Sequence, residues 1–205
     1  MIKAALFDLD GTLIDSNQAI FQTYIEVSKR LGEKEPSIDI LRSLLGQPSH
    51  INLEYLFGQN EQARPIYNEV VKKTHENLNF LPFVKETLKE ISIPKGIVTS
   101  KRSENALEVL KELKDFFTVI ITPEQTIKQK PNPEPIYLAC EKLSIKPEES
   151  VYIGDTVRDY QTALNSGTKF IALIDKGSTA KQFSEAGAKN QVISFNHIPD
   201  MIKRL

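Results

Sequence analysis

The sequence predicts an α/β fold, with a Rossmann-like parallel sheet as its core and an α-helical cap inserted after the first strand. Apolar segments that are too short for helices recur along the chain. From residue 81 onward, helical patterns alternate with these segments, as is typical of parallel sheets covered on both faces. Residues 16–80 show only helical patterns. We therefore expect residues 1–15 and 81–205 to form the core and residues 16–80 to form the cap.

Each element follows from its own pattern. The predicted strands are short apolar runs, at 4–7, 96–99, 117–121, 151–154 and 170–174. The predicted core helices carry apolar residues at helical spacing, over 84–91, 105–113, 133–143 and 157–165. The same spacing predicts cap helices over 19–31, 38–45, 51–57 and 64–78. Because the cap joins the core beside the end of the first strand, we expect it to lie over the carboxyl edge of the sheet, where such proteins place their sites.

Composition and charge narrow the classes of function. The 205 residues include 26 basic and 27 acidic side chains, and the formal net charge is -1. This balance argues against a nucleic-acid surface, which normally has a basic excess. The sequence shows no apolar run of membrane-spanning length and no signal-peptide pattern, so we expect a cytoplasmic protein without a membrane partner. Cys140 is the only cysteine, and its apolar neighbours predict a buried, inert thiol.

Two aspartates follow the first predicted strand. Asp8 and Asp10 come directly after residues 4–7, and a buried strand should end in two carboxylates only if something offsets their desolvation. Their spacing places both side chains on one face, and Gly11 allows a sharp turn close to a ligand. Such a pair suits a nucleophile, a proton donor and a cation site. An Asp-Gly hairpin would need a second strand at once, and a calcium loop would need a later glycine and a distant glutamate.

Hydroxyl groups and a lysine follow two further strands. Thr99 and Ser100 end the second predicted strand and Ser103 begins a helix, so hydroxyl and free helix-start N–H groups could cradle a phosphate. Ordinary helix capping would explain the same residues. Lys130 follows the third predicted strand, and Pro131 keeps it out of the next helix. Most lysines are solvated on the surface, but the place of Lys130 after a strand favours a site residue.

A second pair of acids follows the fourth predicted strand. Asp155 is expected to cap the next helix, with Asp159 one turn later on nearly the same side. Acids are common at helix starts because the helix dipole favours them. With Asp8 and Asp10, however, they would place four acids in one cleft, where two unit charges ~4 Å apart cost about 4 kcal/mol at an effective dielectric constant near 20. We therefore expect the four residues to bind Mg²⁺, which suits carboxylate and phosphate oxygens.

The four groups of polar residues that follow the predicted strands resemble, in this order, the motifs of the haloacid dehalogenase superfamily. The resemblance covers nearly the whole chain. Residues 8–16, Asp-Leu-Asp-Gly-Thr-Leu-Ile-Asp-Ser, are similar to its first motif, and Thr99 or Ser100 to its second. Lys130-Pro131 resembles the third motif, and residues 154–159, Gly-Asp-Thr-Val-Arg-Asp, resemble the fourth. The helical insertion resembles the cap of the phosphoglycolate phosphatase and β-phosphoglucomutase branch.

The resemblance implies a phosphotransferase in which Asp8 attacks phosphorus and forms an aspartyl-phosphate, while Asp10 acts as general acid and then as general base. The residues implied to hold the phosphoryl oxygens are Thr99, Ser100 and Lys130. Those implied to hold Mg²⁺ are Asp8, the carbonyl group of Asp10, Asp155 and, in support, Asp159. Relatives that cleave carbon–halogen or carbon–phosphorus bonds lack an acid at the place of Asp10, so a small phosphorylated molecule is the expected substrate.

Substrate choice is expected to depend on the cap. Arg42, Gln47 and His50 flank the break at Gly46-Gln47-Pro48, which could dip towards the site, although a surface helix end explains them equally well. Four further residues carry no decisive pattern: Lys101 and Arg102 could assist an anionic substrate or be solvated, and His75 and His197 are expected to be structural or exposed.

Several functions are compatible with these patterns. A Mg²⁺-dependent phosphatase is favoured, with phosphoglycolate, sugar phosphates, nucleoside monophosphates and pyrophosphate all open as substrates. A phosphomutase would need a cap that excludes water and offers the intermediate two substrate hydroxyls. A non-catalytic regulator would be expected to lack at least one of Asp8, Asp10, Lys130 or Asp155, all of which are present. A phosphorylated receiver domain needs no helical insertion after its first strand.

Overall fold

The structure is a computed structural model that describes residues 1–174 and 177–205. The strands within these residues are β1 (Ala4–Phe7), β2 (Lys95–Val98), β3 (Val119–Ile121), β4 (Ser150–Gly154), β5 (Lys169–Leu173) and β6 (Gln191–Val192). They form one sheet in the order β3-β2-β1-β4-β5-β6, and every pairing is parallel. The predicted α/β class with a parallel sheet is confirmed.

Helices follow the strands along the chain. Those between β1 and β2 are α1 (Asn17–Leu31), α2 (Ile38–Ser43), α3 (Ser49–Phe57), α4 (Ala63–Thr74) and α5 (Val84–Glu90). Those after β2 are α6 (Ser103–Leu110), α7 (Glu134–Lys142), α8 (Val157–Ser166), α9 (Gly177–Ala186) and α10 (Ile198–Lys203). Among the described helices, none is long and apolar enough to cross a bilayer.

Apolar clusters cover both faces of the sheet, and the side chains of its central strand β1 contribute to both. All four residues of β1 are buried. Phe7 packs in one apolar cluster, where its ring stacks on that of Phe195 with centroids 5.8 Å apart. Leu6 points the other way and joins a second cluster, which includes Tyr152. Successive residues of a strand face opposite sides, so a strand buried on both faces must be apolar throughout.

The cap helices have an apolar cluster of their own. Its members are all drawn from α1 to α4 and their connections, among them Tyr24, Val27, Leu53 and Val70. The rings of Tyr24 and Tyr67 lie 5.7 Å apart across α1 and α4. This separate cluster supports our proposal that residues 16–80 form a cap distinct from the core.

The structure departs from the expected elements in three places. The strand predicted over 117–121 is shorter and begins only at Val119, after a 3-10 helix over Lys111–Phe116. The sequence patterns did not indicate α9, β6 or α10. Asp155 does not cap α8, because the N-cap is Thr156. The Thr156 hydroxyl accepts a hydrogen bond from the N–H of Asp159 at 3.2 Å. In return, the Asp159 carboxylate accepts one from the N–H of Thr156 at 3.1 Å. A reciprocal box of this kind satisfies two helix-start donors at once.

Candidate active site

Three neighbouring strands bring the predicted site residues together. Asp8, Thr99 and Asp155 follow the carboxyl ends of β1, β2 and β4, which are adjacent in the sheet. The backbone stays in register at this edge, since the N–H of Asp8 donates to Ile153 and that of Thr99 to Ile121. The carboxyl edge of the sheet therefore carries the candidate site, as expected for an open α/β sheet.

Asp8 is buried beside a lysine. Its Oδ1 lies 3.0 Å from Lys130 Nζ, and the two side chains are 4% and 2% exposed. Burial raises the pKa of Asp8 to about 7; Lys130 opposes this rise, and the nearby Asp159 and Asp10 add to it. The carboxylate thus carries a charge that a single lysine only partly offsets.

Asp10 has a different partner. Lys101 Nζ lies 2.9 Å from its Oδ1, and the Lys101 side chain is only 6% exposed. Burial, the largest single influence, would raise the pKa of Asp10, but the neighbouring groups, with the Lys101 ammonium foremost among them, together hold that pKa below the ordinary value. The two acids of the first motif therefore sit in different electrostatic environments, which is the arrangement that allows two carboxyl groups to take separate roles.

Asp159 anchors Lys130 and the start of α8. Its Oδ1 accepts a hydrogen bond from Lys130 Nζ at 2.7 Å and lies 3.1 Å from the Tyr152 hydroxyl. Its Oδ2 accepts from both the N–H and the hydroxyl of Thr156. The Tyr152 hydroxyl in turn accepts from Lys130 Nζ at 3.1 Å. Because both of its oxygens are engaged by protein groups, Asp159 suits the supporting role that the motif resemblance implies for it.

Asp155 completes a cluster of carboxylates. Oxygen atoms of Asp8, Asp155 and Asp159 lie within 4.8 Å of one another. The Thr12 hydroxyl donates to Asp155 Oδ1 at 3.0 Å, but burial, together with Asp159 and Asp8, raises the pKa of Asp155 well above its ordinary value. Gly11 has a φ of +73°, and a Cβ there would collide with the Asp155 carboxylate. Asp10, whose side chain pairs with Lys101, lies outside this cluster.

The hydroxyl groups after β2 are partly engaged. Thr99 Oγ1 accepts the N–H of Lys101 at 3.0 Å, and Ser100 Oγ donates to the carbonyl oxygen of Gly46 at 2.8 Å. The expected free N–H at the start of α6 is not found at Ser103, because that group donates to the Glu124 carboxylate at 3.2 Å. The Glu124 carboxylate therefore takes the helix-start N–H of Ser103 that the sequence offered to a phosphate.

A cavity between the cap and the core contains both acids of the first motif. Its volume is about 50 Å³, and the core residues around it include Asp8, Asp10, Thr99 and Ser100. About 10–15 Å³ of such volume holds one water, so the cavity has room for a few water molecules or a group of similar size. Lys130 is not among its lining residues and reaches the site through Asp8.

The three predicted cap residues fall in different places. Gln47 lines the cavity with Asp8 and Asp10. Arg42 is exposed, lies 3.8 Å from Asp39 and lines a wider cleft of about 670 Å³ that also contains Asp155. His50 is exposed on α3 and does not line the cavity. The structure thus brings only Gln47 of the three beside the paired acids.

Several site residues were missed or left open by the sequence patterns. Lys101 is buried on Asp10 rather than solvated. His75 is a buried residue of the cavity wall, with Lys101 Nζ 3.2 Å from its Nδ1. Tyr152 and Thr12 bind the acids from within the core. Because a tyrosine inside a buried strand needs a partner for its hydroxyl, the sequence could have indicated that Tyr152 binds a polar site residue. Nothing in the local sequence around His75 indicates its neighbours.

Comparison with known proteins places these residues in a family. The model of the haloacid dehalogenase-like hydrolase family matches residues 5–173. The chain is 32% identical over 212 residues to a Clostridium perfringens protein named "Putative pyrophosphatase PpaX", covering 100% of this chain and 99% of the relative. It is 28% identical over 187 residues to a phosphoglycolate phosphatase of Nitrosospira multiformis, covering 82% and 81%.

A solved structure shows the same architecture. A Thermotoga maritima protein named "putative beta-phosphoglucomutase" superposes with a TM-score of 0.75 and 27% identity, over 100% of both chains. The fold that carries the acids is therefore shared along the entire length of this chain.

Proposed function

The chain belongs to the haloacid dehalogenase-like hydrolase family, and from this premise we propose that it is a Mg²⁺-dependent phosphatase that hydrolyses a small phosphorylated metabolite through an aspartyl-phosphate. The observation that carries this proposal is the pairing of Asp8 with Lys130 and of Asp10 with Lys101 around one cavity. One carboxylate is thereby available as nucleophile, and the other as acid and base.

In the first step, an Asp8 carboxylate oxygen attacks phosphorus and the bond from phosphorus to the leaving oxygen breaks. A basic leaving oxygen, such as an alkoxide, requires Asp10 to enter this step protonated and takes that proton as the bond breaks, whereas orthophosphate can leave without it. Thr99 and Ser100 are proposed to hold phosphoryl oxygens. Lys130 is proposed to offset their charge while keeping Asp8 in place at 3.0 Å.

In the second step, water replaces Asp8 on phosphorus. Asp10 accepts a proton from that water, the new phosphorus–oxygen bond forms, and the acyl phosphate bond breaks to release phosphate and the Asp8 carboxylate. Lys101 supports this step, because it holds Asp10 in its ionised form. The same contact also suits an orthophosphate leaving group, which is less basic than an alkoxide and needs less protonation.

The acids fit a divalent cation. Lys130 pairs with Asp8 and Asp159, and burial, together with the neighbouring acids, raises the pKa values of Asp8 and Asp155 above their ordinary values. Hard cations prefer oxygen ligands of this kind. We propose that Asp8 and Asp155 would hold Mg²⁺ with the carbonyl group of Asp10, supported by Asp159. The ion would supply positive charge for the phosphoryl oxygens.

The size of the cavity favours a compact substrate. A volume of about 50 Å³ accommodates a small polar leaving group more readily than a sugar. The relatives named as a pyrophosphatase and a phosphoglycolate phosphatase point to the same size class. We therefore propose pyrophosphate and phosphoglycolate as the first substrates to test. The cytoplasmic location expected from the sequence remains a prediction.

A phosphomutase remains the second candidate, because a structural neighbour named for that activity spans the whole chain. It predicts that a hexose phosphate is isomerised in the presence of a bisphosphate primer. Isomer formation measured by NMR, without net phosphate release, would favour it over the phosphatase.

The phosphatase is tested with Asp8→Asn and the matched surface variant Asp200→Asn, whose parent carboxylate is exposed and pairs with Lys203 on the same helix. Phosphate release is measured with pyrophosphate, phosphoglycolate and p-nitrophenyl phosphate, with Mg²⁺ and with EDTA. We expect activity in Asp200→Asn, none in Asp8→Asn, and a loss with EDTA that Mg²⁺ reverses. A phosphoryl adduct on the Asp8 peptide, found by mass spectrometry of quenched wild-type protein, is also expected. Near-normal turnover by Asp8→Asn would rule out the covalent route.

A further inference from the structure

His75 lies where the cap returns to the core. It follows the last turn of α4, and its N–H donates to the Val71 carbonyl oxygen at 3.0 Å. The side chain is 9% exposed and lines the cavity that contains Asp8 and Asp10. None of the four motifs includes this residue, and the proposed chemistry does not use it.

The contact with Lys101 determines which ring nitrogen carries the proton. Lys101 Nζ lies 3.2 Å from His75 Nδ1. An ammonium group has only donors, so Nδ1 must accept, and the proton of the neutral ring resides on Nε2. Burial and the Lys101 charge lower the pKa of His75 to about 4, in keeping with a neutral ring.

This arrangement leaves a buried donor without an acceptor. His75 Nε2 has no hydrogen-bond partner within the described part of the chain. Buried polar atoms are almost always paired, and a buried donor without a partner costs stability. Asn52 lines the same cavity and is 2% exposed. Its amide N–H groups donate to Tyr24 and Leu44, but its Oδ1 has no hydrogen-bond partner among the described residues. Two unpaired polar atoms on residues that line one cavity are groups that a polar ligand could satisfy.

We propose that His75 is a specificity-determining residue whose Nε2–H donates to an anionic oxygen of the leaving group, a phosphate or carboxylate oxygen, while Lys101 supplies the neighbouring positive charge. The inference rests on the proposed function. The phosphoryl group to be transferred is met from the core side by Asp8 and Thr99, whereas His75 comes from the cap side with Gln47. The leaving group is the part of the substrate that would lie against the cap side.

The two nitrogens of His75 can be tested separately. In His75→Asn, the side-chain amide reaches the position of Nδ1 and keeps an acceptor for Lys101, but nothing replaces Nε2. In His75→Gln, the longer amide offers an N–H near the position of Nε2. His197→Asn is the matched control, because His197 is exposed and far from the cavity residues in sequence.

The proposal predicts a split between KM and kcat. For pyrophosphate and phosphoglycolate, we expect His75→Asn to raise KM about tenfold, the typical effect of losing one hydrogen bond to a charged group, with a much smaller change in kcat. His75→Gln should recover most of the loss, and p-nitrophenyl phosphate, whose leaving group has no such anionic oxygen, should lose less. An equal rise in KM for all three substrates would show a structural role and overturn the proposal.

The tautomer gives a readout that does not depend on a variant folding. The nitrogen chemical shifts of His75 in ¹⁵N-histidine-labelled wild-type protein should show a neutral ring protonated at Nε2 at neutral pH. A His75 ring protonated at Nδ1 would overturn the inference. A wild-type protein that releases no phosphate from any substrate would overturn the proposed function. An active wild type with an unchanged KM in His75→Asn would overturn only the role of His75.

Discussion

Ser100 Oγ donates a hydrogen bond of 2.8 Å to the carbonyl oxygen of Gly46, and so joins a core residue proposed to hold phosphate to the cap loop between α2 and α3. The same loop also lies close to Thr156 of the core. Gly46 has a φ of +75°, and a Cβ there would lie 3.1 Å from Thr156 Oγ1. The cap is thus held at the point where Gln47 enters the cavity, and any phosphate oxygen that takes up the Ser100 hydroxyl competes with this contact.

Ser100→Ala should loosen this loop. Losing one hydrogen bond of about 1 kcal/mol is expected to raise the amide hydrogen-exchange rate of residues 44–47 several-fold. Ser43→Ala is the control, because the Ser43 hydroxyl donates to the carbonyl oxygen of Ile40 within α2. Identical exchange in wild-type protein and Ser100→Ala would mean that the contact does not hold the loop.

Gln47→Ala and Arg42→Ala should differ. Gln47 lines the cavity beside the acids, whereas Arg42 is exposed in the neighbouring cleft. We expect Gln47→Ala to raise KM for the natural substrate by about three- to tenfold, as loss of an uncharged hydrogen bond does, and Arg42→Ala to change it little. Steady-state kinetics on pyrophosphate and phosphoglycolate test this. A larger effect of Arg42→Ala than of Gln47→Ala would indicate that the substrate binds in the wider cleft.

Lys130→Met should destabilise the protein strongly. The lysine is 2% exposed and lies within 3.0 Å of both Asp8 and Asp159, so its removal leaves buried carboxylates without a cation. Loss of one partner from a buried pair typically costs about 3–5 kcal/mol of unfolding free energy. Lys203→Met, at an exposed pair with Asp200, should cost less than about 1 kcal/mol. Urea unfolding of both variants in metal-free buffer compares them, and equal losses would contradict the burial argument.

Stabilisation by Mg²⁺ should grow with pH. The pKa of Asp8 rises from 3.8 to about 7 in the folded, metal-free protein, so folded Asp8 keeps a proton that the unfolded chain loses. Between these values, the contribution of Asp8 to stability therefore falls as pH rises. Mg²⁺ needs the ionised acid, so the rise in melting temperature on adding Mg²⁺ should be larger at about pH 8 than at about pH 5.5. Asp155→Asn should abolish most of this rise in melting temperature. A rise of the same size at both pH values would contradict the prediction.

The sequence alone was sufficient for the fold class and the acids of the motifs. Residues 4–7 are apolar throughout because β1 is buried on both faces, and such a segment can be recognised locally. The placement of Asp8, Thr99 and Asp155 follows from the same logic, because parallel strands end at one edge. Short C-terminal elements such as β6 were not predicted, because two residues show no periodicity that could be recognised.

The pairing of charges was decided only by the tertiary structure. The residues Lys130 and Asp159 are far apart in sequence, as are Lys101 and His75, and each pair meets only when helices and loops pack on the sheet. Hydrogen bonds and ion pairs depend on distances of a few tenths of an ångström, which a residue pattern does not encode. The sequence determined which chemical groups reach the edge of the sheet, and packing determined which lysine pairs with Asp8, which pairs with Asp10, and which ring nitrogen of His75 is left as a donor.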